Sequence, residues 1–244
     1  MKVLKKYVKG LLGQEDQKFP LVFSHPRSGT HFLEAFIAEN FLKGQDLEIP
    51  QITWGHWANR KVKETGNPYG KLFGSHAFPR AVHQDKKIVY IIRDPRAVAY
   101  SIWKTPNFIH PDLEGIGFSD FLRTKLDWKG SPAFRAEPTW TILEHWAEHV
   151  AAWSEISREH SNILVVHYED LLNDPYSVYL MLHRRFFNKK AVLEEDQVNP
   201  IRKAVGLLPN AANKDSWRQA FTAADHALFE QLSEAFPILV YTRS

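Results

Sequence analysis

Residues 20–33 have the pattern of a short apolar strand, a tight turn and the start of a helix, and this unit limits the folds open to the chain. Gly29 lets the backbone approach a ligand closely, and Arg27 places a cation at the helix start. A helix N-terminus has backbone N–H groups without intrahelical partners and carries roughly half a positive charge. The segment therefore predicts a cradle for a phosphorylated, nucleotide-like ligand, with Ser28 and Thr30 as hydroxyl donors.

This cradle differs from the phosphate loop of ATPases. That loop, G-x-x-x-x-G-K-[ST], needs a glycine and a lysine where this chain has Ser24 and Thr30. Without the lysine, no residue in the usual place holds β- and γ-phosphates, and no acidic strand end is evident for Mg²⁺. An ATP-dependent kinase or phosphotransferase is therefore the alternative interpretation of the segment.

A second strand–turn–helix unit follows at residues 87–101. Its apolar run is typical of a buried parallel strand, and Asp94 and Pro95 are helix-start signals. Arg93 stands at the carboxyl end of the predicted strand, which is where ligands bind in open α/β sheets. We therefore expect Arg93 to face the same crevice as Arg27.

The two units together resemble the sulfotransferases that use PAPS (3′-phosphoadenosine 5′-phosphosulfate) as co-substrate and release PAP. Pro-Arg-Ser-Gly-Thr at 26–30 resembles the family's 5′-phosphosulfate loop, and residues 93–101 resemble its 3′-phosphate motif, an arginine followed two helical turns later by a serine. The positions that the resemblance assigns to nucleotide binding are Arg27, Ser28, Gly29, Thr30, His31, Phe32, Arg93, Ser101, Tyr168 and Lys214.

Two later segments extend the resemblance over most of the chain. Residues 162–175 are similar to the family's strand followed by Tyr-Glu-Asp-Leu, whose tyrosine, Tyr168 here, lies near the adenine. Residues 214–222 resemble the segment that closes over the nucleotide, and Lys214 is carried over as its basic residue. Phe32 stands where the family often has a tryptophan that stacks on adenine, and ordinary helix core is the equal alternative for it.

The resemblance also implies the catalytic residues. His76, within residues 74–79, is similar to the family's general base, and a neutral imidazole is available near pH 7. Arg27 replaces a lysine that stabilises the leaving phosphate. Its guanidinium can hydrogen-bond two oxygens at once, but it stays charged and does not transfer a proton as an ammonium can. We expect in-line sulfuryl transfer to an acceptor hydroxyl without a metal. A histidine that only satisfies a turn, and a silent PAP-binding module without a base, are the alternatives.

The sequence leaves the acceptor open. Aromatic residues at 54–57, Trp103 and the Pro- and Gly-interrupted segment 105–138 are where we expect an acceptor-site insertion, because loops at carboxyl strand ends carry specificity. Aromatic walls suit phenols and sterols as well as sugar faces and lipid tails. The predicted acceptor is therefore a hydroxyl of a small alcohol or phenol, a lipid or a glycan.

The order of elements predicts an α/β fold, a P-loop-like three-layer domain with a central parallel sheet flanked by helices. The predicted strands lie at about 20–24, 71–75, 88–92 and 163–167. Residues 140–159 show the clearest helix, with an apolar stripe that we expect to pack on the sheet.

His145 and His149 stand four residues apart on that predicted helix, which is a metal-ligand spacing. No cysteine or carboxylate is arranged to complete a site, so we expect exposed or core-edge histidines and no metal.

Charge and composition limit the partners. The 31 Lys and Arg exceed the 28 Asp and Glu by three, which is no basic face for nucleic acid. The absence of cysteine excludes disulfides and thiolate chemistry. No segment approaches the roughly 20 apolar residues of a membrane span. We expect one cytoplasmic domain over 1–244 with an N-terminal extension at 1–18, and the sequence leaves a homodimer open.

Overall fold

The structure is a computed structural model. It describes the backbone of residues 17–51, 54–55, 60–61, 65–105, 113, 115–125, 140–201 and 216–240, and their side chains outside 49–67 and 216. The predicted extension and the predicted insertion at 105–138 lie largely outside these ranges, and so do Lys214 and the side chains of residues 54–57.

Four parallel strands form the central sheet. They are β1 (Leu21–Ser24), β6 (Phe73–Ser75), β7 (Ile88–Ile92) and β8 (Ile163–His167). Their order across the sheet is β6, β1, β7, β8. Two short antiparallel pairs precede β6: β2 (Ile49–Gln51) with β5 (Thr65–Asn67), and β3 (Trp54–Gly55) with β4 (Arg60–Lys61).

Seven α-helices lie within the described residues. They are α1 (Thr30–Phe41), α2 (Pro95–Trp103), α3 (Phe118–Arg123), α4 (Ile142–Glu159), α5 (Tyr168–Asn173), α6 (Pro175–Phe186) and α7 (Ala223–Ala235).

The strand β7 shows how the sheet separates two hydrophobic cores. Ile88, Tyr90 and Ile92 face a cluster shared with α2, α3 and α4, while Val89 and Ile91 face a cluster shared with α1, α5 and α6. All five side chains are buried. Burial on both faces explains why the strand is a continuous apolar run, and it confirms the predicted three-layer α/β class.

The element bounds follow local signals. The strand expected from residue 71 begins at Phe73, because Gly70–Leu72 form a 3₁₀ turn. The helix predicted at 140–159 begins at Ile142, because Thr141 and Glu144 form a capping box in which each side chain accepts the other residue's backbone N–H.

Candidate active site

The loop between β1 and α1 is the predicted anion cradle, and its backbone is tightly turned. Arg27 has φ 64° and Gly29 has φ 96°, so both residues adopt the left-handed region. A Cβ on Gly29 would lie 2.4 Å from Cδ2 of Tyr168, so this position accepts only glycine without a rearrangement. Arg27 carries a Cβ, so its left-handed backbone conformation is strained. Strained non-glycine residues of this kind concentrate at functional sites.

The structure brings Arg27, Arg93 and Ser101 together from the two predicted units. Arg27 Nε donates to Ser101 Oγ at 3.0 Å, and Arg93 Nη1 donates to the backbone oxygen of Arg27 at 3.1 Å. The Arg93 guanidinium also lies 4.5 Å from the ring centroid of Tyr168, which starts α5. The two arginines therefore sit side by side at the carboxyl edge of the sheet, as the sequence predicted.

The electrostatics of this pair favour an anion. Burial, the larger cause, and the positive charge of Arg93 together lower the pKa of Arg27 to about 10. Arg93 Nε and Ser28 Oγ are buried, and neither has a hydrogen-bond partner among the described residues. Buried donors without acceptors are costly. The donor set therefore fits a phosphate or sulfate group bound at this edge.

The remaining cradle residues have contacts within the fold. Thr30 Oγ1 lies 2.7 Å from Ser24 Oγ, which ties the first turn of α1 to the end of β1. His31 Nδ1 lies 2.8 Å from Oε2 of the buried Glu34. The Phe32 ring is partly buried, and its centroid lies 5.7 Å from that of Tyr168, so the two rings form one aromatic surface beside the cradle.

His76 lies beside the cradle on the loop after β6, and it is buried. Its Nδ1 is 2.9 Å from the backbone oxygen of Ser24, and 3.1 Å from Ser24 Oγ. A carbonyl oxygen only accepts, so Nδ1 carries the proton in the neutral ring and Nε2 holds the basic lone pair. That tautomer suits a general base.

His145 and His149 correct a prediction, because neither is exposed or at the edge of the core. Both have no exposed surface, and the same holds for His25. Their rings form one group in which adjacent centroids are 5.2 to 6.1 Å apart. Periodicity alone counts histidine as polar, so it could not reveal this burial.

Ser24 and His25 lie beside the cradle residues, although the sequence alone assigns neither of them to nucleotide binding. The available signal was their place at the end of the apolar strand β1, where polar residues face the ligand edge of a parallel sheet. Trp103, by contrast, donates its indole N–H to the backbone oxygen of Ile116 at 2.9 Å and packs against Phe118, so it contacts the α3 region.

Neither a cluster of metal ligands nor a membrane-spanning helix is present among the described residues. Among them, no group of three or more His, Asp or Glu side chains has an arrangement that could hold a metal ion. No helix in those same ranges combines the length and apolar character needed to cross a bilayer.

Two arginines and a histidine at the carboxyl edge of a parallel α/β sheet are suited to an enzyme that binds phosphate- or sulfate-bearing ligands. The family model for the sulfotransferase domain matches residues 19–221. The chain therefore belongs to the sulfotransferase domain family, and the family and enzyme class inferred from the sequence, a PAPS-dependent sulfotransferase, are confirmed.

Similar proteins span most of the chain. Sulfotransferase 2A2 of Rattus norvegicus is 27% identical over 216 residues, which cover 82% of this chain and 68% of the rat protein. Sulfotransferase 2A6 of Mus musculus is 23% identical over 255 residues, covering 87% of this chain and 81% of the mouse protein. The crystal structure of mouse sulfotransferase SULT7A1 complexed with PAP has a TM-score of 0.57 at 19% identity, covering 90% of this chain and 84% of that one.

Proposed function

We propose that this enzyme transfers the sulfuryl group of PAPS to an acceptor hydroxyl, with His76 as general base and Arg27 as the clamp on the leaving phosphate. The observation that carries the proposal is the cluster of Arg27, Arg93 and Ser101 beside a histidine whose Nε2 is the basic atom. The fold of a PAP-bound sulfotransferase supports the same ligand.

The reaction needs one proton acceptor and one site of positive charge. The acceptor oxygen forms a bond to sulfur as the bond from sulfur to the 5′-phosphate oxygen breaks, and the products are a sulfate ester and PAP. His76 Nε2 takes the hydroxyl proton, and Arg27 neutralises the negative charge that grows on the phosphate. Because these roles need no metal, we propose a metal-independent transfer.

Arg93, which precedes α2, and Ser101, in the last turn of α2, bind the 3′-phosphate in this proposal. Arg93 offers the buried Nε that has no partner among the described residues. Ser101 Oγ accepts from Arg27, which leaves its own O–H to donate to an anion. Ser28 and the first N–H groups of α1 serve the 5′-phosphosulfate.

The adenine lies against aromatic rings. The rings of Phe32 and Tyr168 form that surface. The guanidinium of Arg93 lies against the Tyr168 ring and fixes its orientation. Lys214, outside the described residues, is proposed to reach the 3′-phosphate from the closing segment.

The acceptor site and the domain organisation are part of the proposal. We place the acceptor between His76 and the segment 105–138, in a single domain over 1–244. The class of acceptor is a small alcohol or phenol, a lipid or a glycan hydroxyl.

The test combines ligand binding with turnover. We expect PAP to raise the Tm without metal, whereas ATP with Mg²⁺ should raise it little. Labelled PAPS is then offered with 1-hexanol, 2-naphthol, androsterone and N-acetylglucosamine, and with water as background. Stabilisation by ATP only with Mg²⁺ would favour a kinase. Tight binding of PAP without transfer of the label to any of the four acceptors or to water would contradict the catalytic proposal.

A further inference from the structure

The buried helix α4 contacts both halves of the site through histidines four residues apart. His145 Nδ1 lies 3.0 Å from Nε2 of His25, which starts the cradle loop. His149 Nε2 lies 3.1 Å from the backbone oxygen of His76. Residues at i and i+4 share one helix face, so a single face of α4 contacts the cradle loop and the loop of the base.

The hydrogen-bond directions at the cradle are set by chemistry. His25 Nδ1 lies 3.1 Å from the backbone oxygen of Pro26, which only accepts, so this nitrogen carries the proton. Nε2 of His25 is then the acceptor, and His145 Nδ1–H is the donor to it. Burial, the largest cause, lowers the pKa of both rings well below the ordinary value, which keeps both neutral.

The directions at the base are equally defined. His149 Nε2–H donates to the carbonyl of His76, and its Nδ1 accepts from the hydroxyl of Tyr90 at 2.8 Å. One turn further along α4, Trp153 Nε1–H donates to the next carbonyl, that of Ala77, at 3.0 Å. Successive donors on α4 thus hold successive carbonyls of the base's loop.

We propose that His145 and His149 are positioning residues that set the spacing between Arg27, the clamp on the leaving phosphate, and His76, the general base. His145 acts through His25 on the loop that carries Arg27, and His149 acts through the backbone of His76. This inference rests on the proposed function. Its consequence is a division of effects, since each histidine serves a different half of the reaction.

Leucine at each position gives the primary test. His145→Leu should weaken PAP binding, measured by calorimetry, by about five- to tenfold, and it should lower kcat to a smaller extent than His149→Leu does, because it acts through the loop of Arg27. His149→Leu should lower kcat by about tenfold or more, because small displacements of a base are costly, and leave PAP affinity intact. kcat is measured with labelled PAPS and the best of the four named acceptors, or with water.

Amide substitutions provide the matched controls, because asparagine places its N–H near the Nδ1 position of histidine and glutamine near Nε2. His145→Asn should restore PAP affinity and His149→Gln should restore kcat. The exchanged pair, His145→Gln and His149→Asn, should behave like leucine. These four variants also decide the question if either leucine variant fails to fold.

Val150→Ala controls for lost packing, since Val150 is buried in the core on the same helix. It should lower the Tm without changing PAP affinity or kcat. If both leucine variants changed affinity and kcat together, or changed only the Tm, the positioning roles would be wrong. A wild-type enzyme that bound no PAP would instead overturn the proposed function, and this outcome is separate from the behaviour of the variants.

Discussion

Replacing Arg93 by methionine should separate ligand binding from stability. The substitution removes the hydrogen bond to the backbone oxygen of Arg27 and the contact with the Tyr168 ring, which together contribute about 1–3 kcal/mol. It also removes a positive charge beside the buried Arg27 and a buried Nε without a partner among the described residues. These opposing effects should leave the free energy of unfolding within about 1 kcal/mol of wild type.

Nucleotide binding should respond differently. A charge-assisted contact to the 3′-phosphate is worth about 1.5–3 kcal/mol, so PAP should bind roughly ten- to a hundredfold more weakly. Binding of 5′-AMP, which lacks only the 3′-phosphate, should change far less. Calorimetric titration of both nucleotides into both proteins gives the ratio directly.

Arg96→Met is the matched control for this experiment. Arg96 is the other arginine of the motif, and it pairs with Asp94 at 2.7 Å and lies 4.2 Å from the Trp217 ring centroid. Its loss should lower stability and leave the ratio of PAP to AMP affinity unchanged. An equal loss of PAP and AMP affinity in Arg93→Met would refute the assignment of Arg93 to the 3′-phosphate.

Three further predictions concern the base, the cradle and pH. His76→Ala should lower kcat by about 10²–10⁴-fold with PAP affinity intact, whereas Arg27→Ala should reduce both kcat and PAP affinity. A turnover of His76→Ala near that of wild type would exclude His76 as the base. Gly29→Ala should cost about 2–4 kcal/mol in urea unfolding and weaken PAP, because φ is left-handed and an aromatic ring fills the space; Gly44→Ala, with left-handed φ and no atom within 4 Å, should cost only about 1 kcal/mol. Burial lowers the pKa of His149 to about 4, so the unfolded chain binds that proton first and the free energy of unfolding should fall as pH drops below the ordinary value of about 6.5. The share of this one ring between pH 7.5 and 5 is about 2 kcal/mol, and in urea titrations His149→Phe should lack it.

Local signals predicted the elements that surround the site. The apolar runs of β7 and β8 are continuous because both faces of the sheet are covered, and their observed bounds agree with the predicted ones. Asp94 and Pro95 start α2 as predicted, with the Asp94 side chain accepting the N–H of Arg96. Parallel strands place their carboxyl ends together, which is why Arg27 and Arg93 could be brought to one crevice from sequence alone.

Hydrogen bonds between residues that are far apart in the sequence could not be predicted in the same way. The bond between His25 and His145 joins residues 120 positions apart, and neither residue has a local pattern that indicates the other. The resemblance assigns Ser101 to the phosphate together with Arg93, whereas the structure also makes its hydroxyl oxygen an acceptor for Arg27. Such contacts depend on side-chain geometry across the sheet and not on periodicity.

The strand order also has a consequence for how the protein is made. The first strand, β1, lies between β6 and β7, and β8 pairs with β7 at the sheet edge, so every neighbour in the sheet comes from a distant part of the chain. On a ribosome, Arg27 emerges long before Tyr168, whose ring covers Gly29 and lies against Arg93. A nascent chain that ends before α5 lacks Tyr168 and therefore cannot form the complete cradle, so nucleotide binding should appear only after β8 has paired with β7.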